Sequence, residues 1–358
     1  MKKILFIAAH RRDRSPSQRF RFEQYFEYLE YHGFKCELSS LISASDDKYF
    51  YASGSYLRKL WILGKGVLKR GYDVIRASNF DIVFVQREGF MTGATFFERM
   101  LKKRGNQMIF DFDDSIWLQD DSPVNKKLAW LKDAGKTSKL IRLSDLVFAG
   151  NEYLAKYARQ FNENVEIVPT TIDTIEYQPN RSKNEAVIIG WSGSFSTVKH
   201  FESAIPALEK IQEKYGKSVQ FKLIGDGDYR NEKLGIIGLA WSKEDEIREL
   251  AKIDIGIMPL PDDEWSKGKC GLKGLQYMAL KIPTIMSPVG VNADIVNDGK
   301  NGFLASNTNE WVDKLSMLIE SEELRLKLGQ AGRNTVEKKY SVLANQSKYL
   351  ELINRLIS

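Results

Sequence analysis

The chain has 358 residues, which is more than one ordinary hydrophobic core accommodates and about what two domains need. Hydrophobic residues make up 43% and charged residues 28% of the sequence, as in soluble globular proteins, and no apolar run reaches the ~18 residues of a membrane span. The net charge of +6 favours phosphorylated ligands or anionic membranes, while the lack of zinc-finger spacing and RNA-binding signatures disfavours nucleic acid.

Residues 1–15 have a basic start and a short apolar run, like a signal peptide. The run is too short, and arginines rather than a small-residue cleavage site follow it, so we expect a buried first strand over residues 3–9. Cys36 and Cys270 lie far apart in the sequence and predict no disulfide framework, which favours a cytoplasmic location.

Short apolar segments alternate with helical patterns along the whole chain, such as the pattern over residues 17–33. Predicted strands in the first half cover residues 3–9, 35–41, 81–87, 107–112, 145–150 and 165–170. Those in the second half cover residues 186–193, 219–226, 235–241, 254–260, 282–287 and 302–306. Apolar strands alternating with helices predict an α/β protein whose parallel sheets are covered on both faces.

The pattern occurs twice, with a polar break between the two halves. We therefore predict a first Rossmann-like domain over residues 1–175, a linker over 176–186 and a second domain over 187–338. A final helix over 339–358 is expected to pack back towards the first domain. Two doubly wound domains joined in this way face each other across a cleft, and ligands bind such sheets at the carboxyl ends of the strands.

Two basic stretches of the first domain are each open to two interpretations. Five arginines follow the first strand, either as a solvated loop or as contacts for an anionic acceptor: Arg11, Arg12, Arg14, Arg19 and Arg21. Residues 55–76 interleave leucine and tryptophan with lysine and arginine. This pattern is typical of a core helix with a basic outer face, and also of a helix that touches an anionic membrane.

The densest acidic cluster follows the fourth predicted strand and contains Asp111, Asp113 and Asp114. Carboxylates suit hard cations, so a magnesium site is one interpretation. The same carboxylates can instead cap the next helix or line the cleft.

Three strand-to-helix turns of the second domain are typical of phosphate binding. They contain Gly193 with Ser194, Gly290 with Val291, and the segment from Lys269 to Lys273. Free amides at helix starts hold phosphate oxygens, and lysines at a helix start are favoured only if an anion binds there. Ordinary turns and solvated lysines are the alternative, and the lack of G-x-G-x-x-G disfavours a nicotinamide-type dinucleotide.

The chain resembles the retaining glycosyltransferases of glycosyltransferase family 4, which have the GT-B architecture. The resemblance covers nearly the whole chain. The stretches that carry it in the second domain are residues 188–201, 222–230, 254–305 and 328–341, and those in the first are 15–34, 109–118, 146–158 and 165–173. It implies transfer of a sugar, with retention, from a nucleoside-diphosphate sugar to a glycan or polyprenyl-diphosphate-linked acceptor.

The resemblance also assigns roles to the donor residues. Gly193 and Ser194 would lie at the pyrophosphate, and Gly290 and Val291 would offer it backbone amides. Family members carry two glutamates eight positions apart, and here those positions hold Gly268 and Gln276.

Gln276 would then bind the ribose, since an amide both donates and accepts hydrogen bonds. Lys269 and Lys273 would hold the diphosphate, with Lys273 also stabilising the leaving group. Asp113 would face the anomeric carbon, and Arg19 and Arg21 would face the acceptor.

The resemblance implies no metal and no cofactor beyond the sugar-nucleotide substrate. A role in cell-surface polysaccharide or glycoconjugate synthesis, at the inner face of the membrane, follows as an expectation. The missing first glutamate leaves open a catalytically impaired binding or scaffold subunit of the same fold. A sugar-nucleotide epimerase of similar two-domain shape is the other alternative.

Overall fold

A computed structural model describes residues 1–51, 54–118, 133, 135–180 and 184–357. The chain forms two compact units, one of residues 1–169 with 346–358 and one of residues 170–345. The domain boundaries expected from the sequence differ from these by a few residues and stay a prediction. Part of the expected linker, residues 181–183, lies outside the described residues.

The first unit is built on a six-stranded parallel sheet with the order β2-β1-β3-β4-β5-β6. Its strands are β1 Lys2–Ala8, β2 Phe34–Ser40, β3 Ile82–Gln86, β4 Gln107–Phe112, β5 Leu146–Ala149 and β6 Val165–Ile167. Its helices are α1 Pro16–Arg19, α2 Phe26–Tyr31, α3 Ala44–Tyr51, α4 Tyr56–Arg76, α5 Phe96–Lys103, α6 Lys136–Leu143 and α7 Glu152–Ala158, with 3₁₀ turns at Glu23–Tyr25 and Ala77–Asn79.

Aromatic side chains fill much of the core of the first unit. The ring of Phe6 on β1 stacks on Phe22 with centroids 5.1 Å apart and lies 5.0 Å from Phe84 on β3. Tyr349, in the part of the chain that returns to this unit, stacks on Tyr25 at 4.2 Å. The apolar strand segments thus bury their side chains as expected for a parallel sheet covered on both faces.

The second unit is built on a five-stranded parallel sheet with the order β13-β12-β11-β7-β8. Its strands are β7 Val187–Ser192, β8 Val219–Ile224, β9 Arg230–Asn231, β10 Ile236–Ile237, β11 Ile255–Met258, β12 Thr284–Met286 and β13 Phe303–Leu304. Its helices are α8 Val198–Glu202, α9 Ile205–Tyr215, α10 Lys243–Leu250, α11 Glu264–Lys267, α12 Leu272–Ala279, α13 Asn292–Ile295, α14 Thr308–Glu320 and α15 Glu322–Thr335.

The remaining helical segments of the second unit are short. They are 3₁₀ turns at Phe195–Thr197 and Gly216–Ser218 and a π-helical segment at Val336–Tyr340. The last helix, α16 Val342–Arg355, begins in the second unit and from Gln346 belongs to the first. The two parallel sheets confirm the predicted α/β class with two Rossmann-like units. Among the helices of the described ranges, none combines the length and the hydropathy of a membrane span.

The strand predicted over residues 235–241 is wrong as a full strand of the parallel sheet. Ile236–Ile237 pairs antiparallel with Arg230–Asn231 in a separate two-stranded ribbon, and Leu239 forms a single parallel bridge to Ile224 at the end of β8. Glycines flank the pair at positions 235 and 238, and glycine weakens a strand because it has no side chain to pack.

The helical pattern over residues 17–33 does not form one continuous helix, because α1 and α2 are separated by a turn and by the 3₁₀ turn Glu23–Tyr25. Phe20, Arg21 and Phe22 are all buried. Three consecutive residues cannot share one face of an α-helix, so the chain turns here and directs Arg21 into the interior.

The guanidinium of Arg21 is fully buried, and it forms an ion pair with the equally buried Asp111 at the end of β4. Its Nε donates to Asp111 Oδ2 at 3.3 Å, and its Nη1 donates to the carbonyl of Val168. Burial raises the pKa of the Asp111 carboxyl, and the adjacent Arg21 opposes that rise.

We expect Arg21→Met to lower the free energy of unfolding by about 3–5 kcal/mol, because it leaves the Asp111 carboxylate buried without its counter-charge. Urea unfolding of the full chain measures the loss. The double variant Arg21→Met/Asp111→Leu removes both charges and should recover most of it. Equal loss in the single and double variants would contradict the ion-pair explanation.

Candidate functional site

The loops that follow β11 and β12 contact each other at the carboxyl edge of the second sheet. The Ser287 amide donates to the carbonyl of Met258 (3.1 Å), and the Leu260 amide donates to the Ser287 hydroxyl (2.9 Å). Parallel strands end at the same edge, so the turn after β7 belongs to this edge as well. The structure therefore gathers the three turns that the sequence singles out.

The turn after β7 presents a cluster of hydroxyl groups. Ser194 and Ser196 are exposed, and their hydroxyl oxygens lie 2.9 Å apart. The Thr197 hydroxyl accepts from the Ser194 amide (3.1 Å) and donates to the Ser194 carbonyl (3.0 Å). Gly193 precedes these hydroxyl residues, and the ring of Trp191 packs against it.

The turn after β12 requires glycine at position 290. Gly290 has φ +54°, in the left-handed region, and an added Cβ would lie 2.6 Å from the carbonyl oxygen of Lys267. Gly271, which precedes helix α12, lies beside Val291 and Asn292. Asn292 is fully buried and its Nδ2 donates to the Ser287 carbonyl (3.1 Å), while its Oδ1 has no hydrogen-bond partner among the described residues.

Helix α12 is fixed against two strands of the sheet. The Tyr277 hydroxyl accepts from the Ser192 amide at the end of β7 (2.7 Å). The Tyr277 ring packs so closely on β11 that a Cβ at Gly256 would meet it at 2.4 Å. The first turn of the helix has no acidic residue, and Gly271 provides no side-chain cap. The amides of this helix start are therefore suited to an anion.

Lys269 and Lys273 lie at this helix start, as expected from the sequence. The Lys273 Nζ lies 5.4 Å from the ring centroid of Trp191, beside the Gly193 turn. The Lys269 Nζ lies 5.3 Å from the ring centroid of Trp265. The structure thus brings Gly193, Lys273 and the α12 start together.

His200 joins the same cluster, and the sequence analysis gave it no role. Its side chain is 4% exposed, and its Nδ1 has no hydrogen-bond partner within the described ranges. Burial, followed by the positive charges of Lys273, Lys269 and Lys199, lowers the pKa of His200 to about 4. Its position on α8, directly after the Gly193 turn, was the sequence signal that could have revealed it.

Gln276 lies in a buried hydrogen-bond network of the second unit. It is 4% exposed, and its Nε2 donates to the Tyr177 hydroxyl (3.0 Å). The Tyr177 hydroxyl donates to Glu246 Oε2 (2.7 Å), and the Trp241 Nε1 donates to Glu246 Oε1 (2.8 Å). The structure thus joins Gln276 to an internal network that the sequence did not indicate.

The candidate residues of the first unit lie at the carboxyl edge of its own sheet. Asp113 follows β4 and forms an ion pair with Arg87 (2.8 Å), which follows β3 and has φ +59°. Arg87 also lies 3.6 Å from Asp114. The pairing with Arg87 is a feature that the sequence analysis did not identify.

Arg19 and Arg21 are both buried in the structure. The Arg19 guanidinium lies 4.9 Å from the ring centroid of Phe20, whereas Arg21 is bound by Asp111 as described above. Within the described residues, no group of three or more histidine, cysteine or carboxylate side chains is arranged to hold a metal ion.

Residues 186–321 match the family model described as "Glycosyl transferases group 1". The second unit contains a glycosyltransferase group 1 domain. An uncharacterized glycosyltransferase from Methanocaldococcus jannaschii is 31% identical over 161 residues, which are 42% of this chain and 42% of that protein. A poly(ribitol-phosphate) alpha-N-acetylglucosaminyltransferase from Staphylococcus aureus is 30% identical over 24% of this chain and 18% of its own length. The chain thus spans less than half the length of these curated relatives.

Solved structures of similar fold cover the whole chain. Anabaena HepE in complex with UDP and glucose has a TM-score of 0.69 at 16% identity, covering 99% of this chain and 100% of that one. Sucrose-phosphate synthase from Thermosynechococcus elongatus has a TM-score of 0.68 at 12% identity, covering 100% and 99%. The GT-B fold that the resemblance implied is therefore confirmed.

We expect the free energy of unfolding to fall as the pH drops from 6.5 towards 4, by up to ~1.4 kcal/mol per pH unit for His200. In the unfolded chain His200 has its ordinary pKa near 6.5, whereas in the folded chain its pKa is about 4, so the unfolded state binds a proton first as the pH falls. Urea unfolding at pH 7 and pH 5 should show a weaker pH dependence for His200→Asn than for the wild type.

Lys273→Ala supplies a second measurement. Removing this positive charge should raise the pKa of His200, as followed by the NMR shifts of its imidazole. An unchanged pKa would show that burial alone, without the lysine, keeps the ring neutral. His10, whose pKa is also lowered to about 4, lies in the first unit and serves as the internal control.

Proposed function

We propose that the second unit binds a nucleoside-diphosphate sugar and that the protein transfers the sugar with retention. The cluster of Lys269, Lys273 and His200 beside three amide-rich turns is the observation that carries the proposal. Two lysines at a helix start are unfavourable without an anion, and a diphosphate supplies two or more negative charges at that point. The name of the HepE complex, with UDP and glucose, supports a donor of this class.

The proposed donor contacts follow from the positions of the side chains. The Gly193 and Ser194 turn and the Gly290 and Val291 turn offer amides and hydroxyls to the diphosphate. Gln276 contacts the ribose through its amide oxygen, since its amide nitrogen donates to Tyr177.

The buried and neutral imidazole of His200 adds a polar group without a further charge. We propose that it hydrogen-bonds the bound donor through Nδ1, which lacks a partner among the described residues.

The proposed chemistry is cleavage of the bond between the anomeric carbon and the diphosphate oxygen. The acceptor hydroxyl forms the new bond on the same face of the sugar, and its proton passes to the leaving diphosphate. Negative charge that develops on the leaving group is stabilised by Lys273, Lys269 and the turn amides, which are in place before the reaction.

Asp113, paired with Arg87, is the proposed contribution of the first unit to the anomeric centre. We also propose that this unit binds the acceptor, a glycan or a lipid-linked diphosphate in the synthesis of a cell-surface glycoconjugate. Arg19 and Arg21 are buried, so they would act there by shaping the loop after β1.

Lys273→Ala should weaken binding of the matching nucleoside diphosphate about 10- to 100-fold, because it removes a charged hydrogen-bond donor. Isothermal titration calorimetry with UDP, GDP, CDP, TDP and ADP measures the effect and identifies the base. Lys217→Ala, an exposed lysine at a 3₁₀ turn of the same unit, is the matched control and should bind normally.

Several outcomes separate this proposal from its main alternative. Bound diphosphate should raise the pKa of His200, because it adds negative charge beside the ring. Retention is tested by NMR of the anomeric proton of the first product. Normal diphosphate binding without sugar transfer or donor hydrolysis would favour a scaffold subunit, for which the glycine at position 268 is the motivating feature.

We expect transfer to continue in the presence of EDTA, because lysines and backbone amides take the place of a metal at the diphosphate. Activity assays with EDTA and with added Mg²⁺ should give equal rates. A rate that falls in EDTA and returns with Mg²⁺ would contradict metal-independent transfer and would direct attention to Asp113 and Asp114.

A further inference from the structure

Helix α4, Tyr56–Arg76, packs on the first unit through a narrow side. Ile62, Gly66 and Val74 are buried, and Gly66 lies close to the ring of Phe90. Arg70 is buried on the same side, where its Nε donates to the Gly89 carbonyl (2.6 Å) and its Nη1 pairs with Asp73 (2.7 Å). Ordered contacts therefore fix this side of the helix to the unit.

The opposite side of α4 is apolar and exposed. We name it the apolar face, and it consists of Leu57, Leu60, Trp61, Val67, Leu68, Tyr72 and Ile75. Leu57 is 85% exposed, Leu68 75% and Trp61 67%. Most of these residues follow one another at three or four positions, and Gly64 occupies the one intervening turn between Trp61 and Leu68, so they lie on one side of a helix about 30 Å long.

The outer face of this helix is therefore not the basic one that a core helix would present. The charged pair, Arg70 and Asp73, is buried, while leucine, isoleucine and tryptophan face outwards. Isolated apolar residues are common on protein surfaces, but seven on one side of a helix mark a docking surface.

Basic side chains border the apolar face along one edge. Arg58, Lys65, Lys69 and Arg76 lie on this edge of the helix. Lys65 also pairs with Asp46, and Arg76 pairs with Glu37 and Asp73, so Lys69 and Arg58 are the cations best placed to contact an anionic surface. The helix carries six basic residues and one acidic residue. Trp61 and Tyr72 lie between the aliphatic strip and this basic edge, which is where amphipathic rings sit at a membrane–water interface.

We propose that α4 docks the protein on the surface of a bilayer that contains anionic lipids. The apolar face would enter the boundary between headgroups and acyl chains, and the basic edge would contact the anionic headgroups. The helix would lie in the plane of the interface, because it is not apolar all round and is no candidate for a membrane span.

The neighbouring helix extends this surface. Helix α5, Phe96–Lys103, packs against α4 and exposes Phe96, Arg99 and Lys103. Its exposed residues repeat the combination of an apolar ring with positive charge. Docking through two helices would enlarge the buried apolar area and the electrostatic attraction together.

Charge favours a lipid surface over a second copy of this chain. A two-fold pairing through α4 would bring two helices of like charge together, since each carries six basic residues and one acidic residue. Asp46 and Glu37, which pair with Lys65 and Arg76, lower the net charge of each surface from five to three, which is still positive. Like charges at a contact oppose association, whereas anionic headgroups neutralise them. The proposal does not depend on sugar transfer, because it concerns binding to lipid alone.

Co-sedimentation of the full chain with vesicles tests the proposal. We expect binding to phosphatidylcholine vesicles that contain about 30% phosphatidylglycerol and weak binding to vesicles of phosphatidylcholine alone. Binding to the anionic vesicles should be lost as the salt concentration rises. Tryptophan emission should shift to the blue on binding, and most of the shift should disappear in Trp61→Phe.

Two variants of α4 separate its apolar and basic contributions. Leu68→Ser should lower the vesicle partition coefficient about tenfold, because the variant loses the favourable transfer of the leucine side chain from water into the membrane interface. Lys69→Ala should lower it about fivefold and only on anionic vesicles. The matched controls are Ile237→Ser and Lys217→Ala, which change an exposed isoleucine and an exposed lysine of the second unit and should leave binding unchanged.

Three outcomes would overturn the proposal. One is no binding to anionic vesicles by the wild type, and another is binding that the α4 variants and the controls affect equally. The third is a dimer in solution that Leu68→Ser dissociates, which would assign the apolar face to a second copy of the chain. Urea unfolding of the same variants should give midpoints close to that of the wild type and thus checks separately that the first unit is folded.

Discussion

The guanidinium of Arg333 holds three stretches of the second unit in place. It donates to the carbonyls of Thr174 (2.8 Å), Tyr177 and Ala279, and its Nε pairs with Glu337 (2.6 Å). Ala279 is the last residue of helix α12, where a positive charge is favoured by the helix dipole. The same helix begins at Lys269 and Lys273 of the candidate donor site. By holding the C-terminal end of α12, Arg333 therefore helps to position the two lysines at its N-terminal end.

This anchoring explains how several positive charges can stay close together in the candidate donor site. Lys269, Lys273 and Lys199 repel one another and oppose protonation of His200, and a loosely held helix would separate them. Tyr177 is held by Arg333 through its carbonyl and by Gln276 and Glu246 through its hydroxyl. The buried network thus supplies the rigidity that preorganised anion binding requires.

Much of the fold could be predicted from the sequence because parallel strands are continuous apolar runs. The strands of both main sheets are found near the expected positions, and the glycine turns with Lys269 and Lys273 lie together at one edge. Prediction failed where tertiary contacts override local pattern. Arg21 is polar and follows a helical pattern, yet its ion pair with Asp111 turns it inward.

The role of His200 and the hydrogen-bond partner of Gln276 were not identified from the sequence for the same reason. Their roles depend on partners distant in sequence, such as Lys273 for His200 and Tyr177 for Gln276. Helix α4 shows the reverse problem, because the spacing of its residues is compatible with either face being buried. Only the contacts of Gly66 and Arg70 decide which one faces outwards.

The close packing of Tyr277 on Gly256 has a consequence for sequence variation in proteins of this kind. The Tyr277 ring occupies the space that a side chain at position 256 would need. Its hydroxyl accepts a hydrogen bond from the amide of Ser192, the last residue of strand β7. A larger residue at 256 would be accepted only together with a smaller one at 277, and that exchange would leave the Ser192 amide without its acceptor. The two positions are therefore expected to change together or not at all, which makes them a marker for this helix placement in more distant chains.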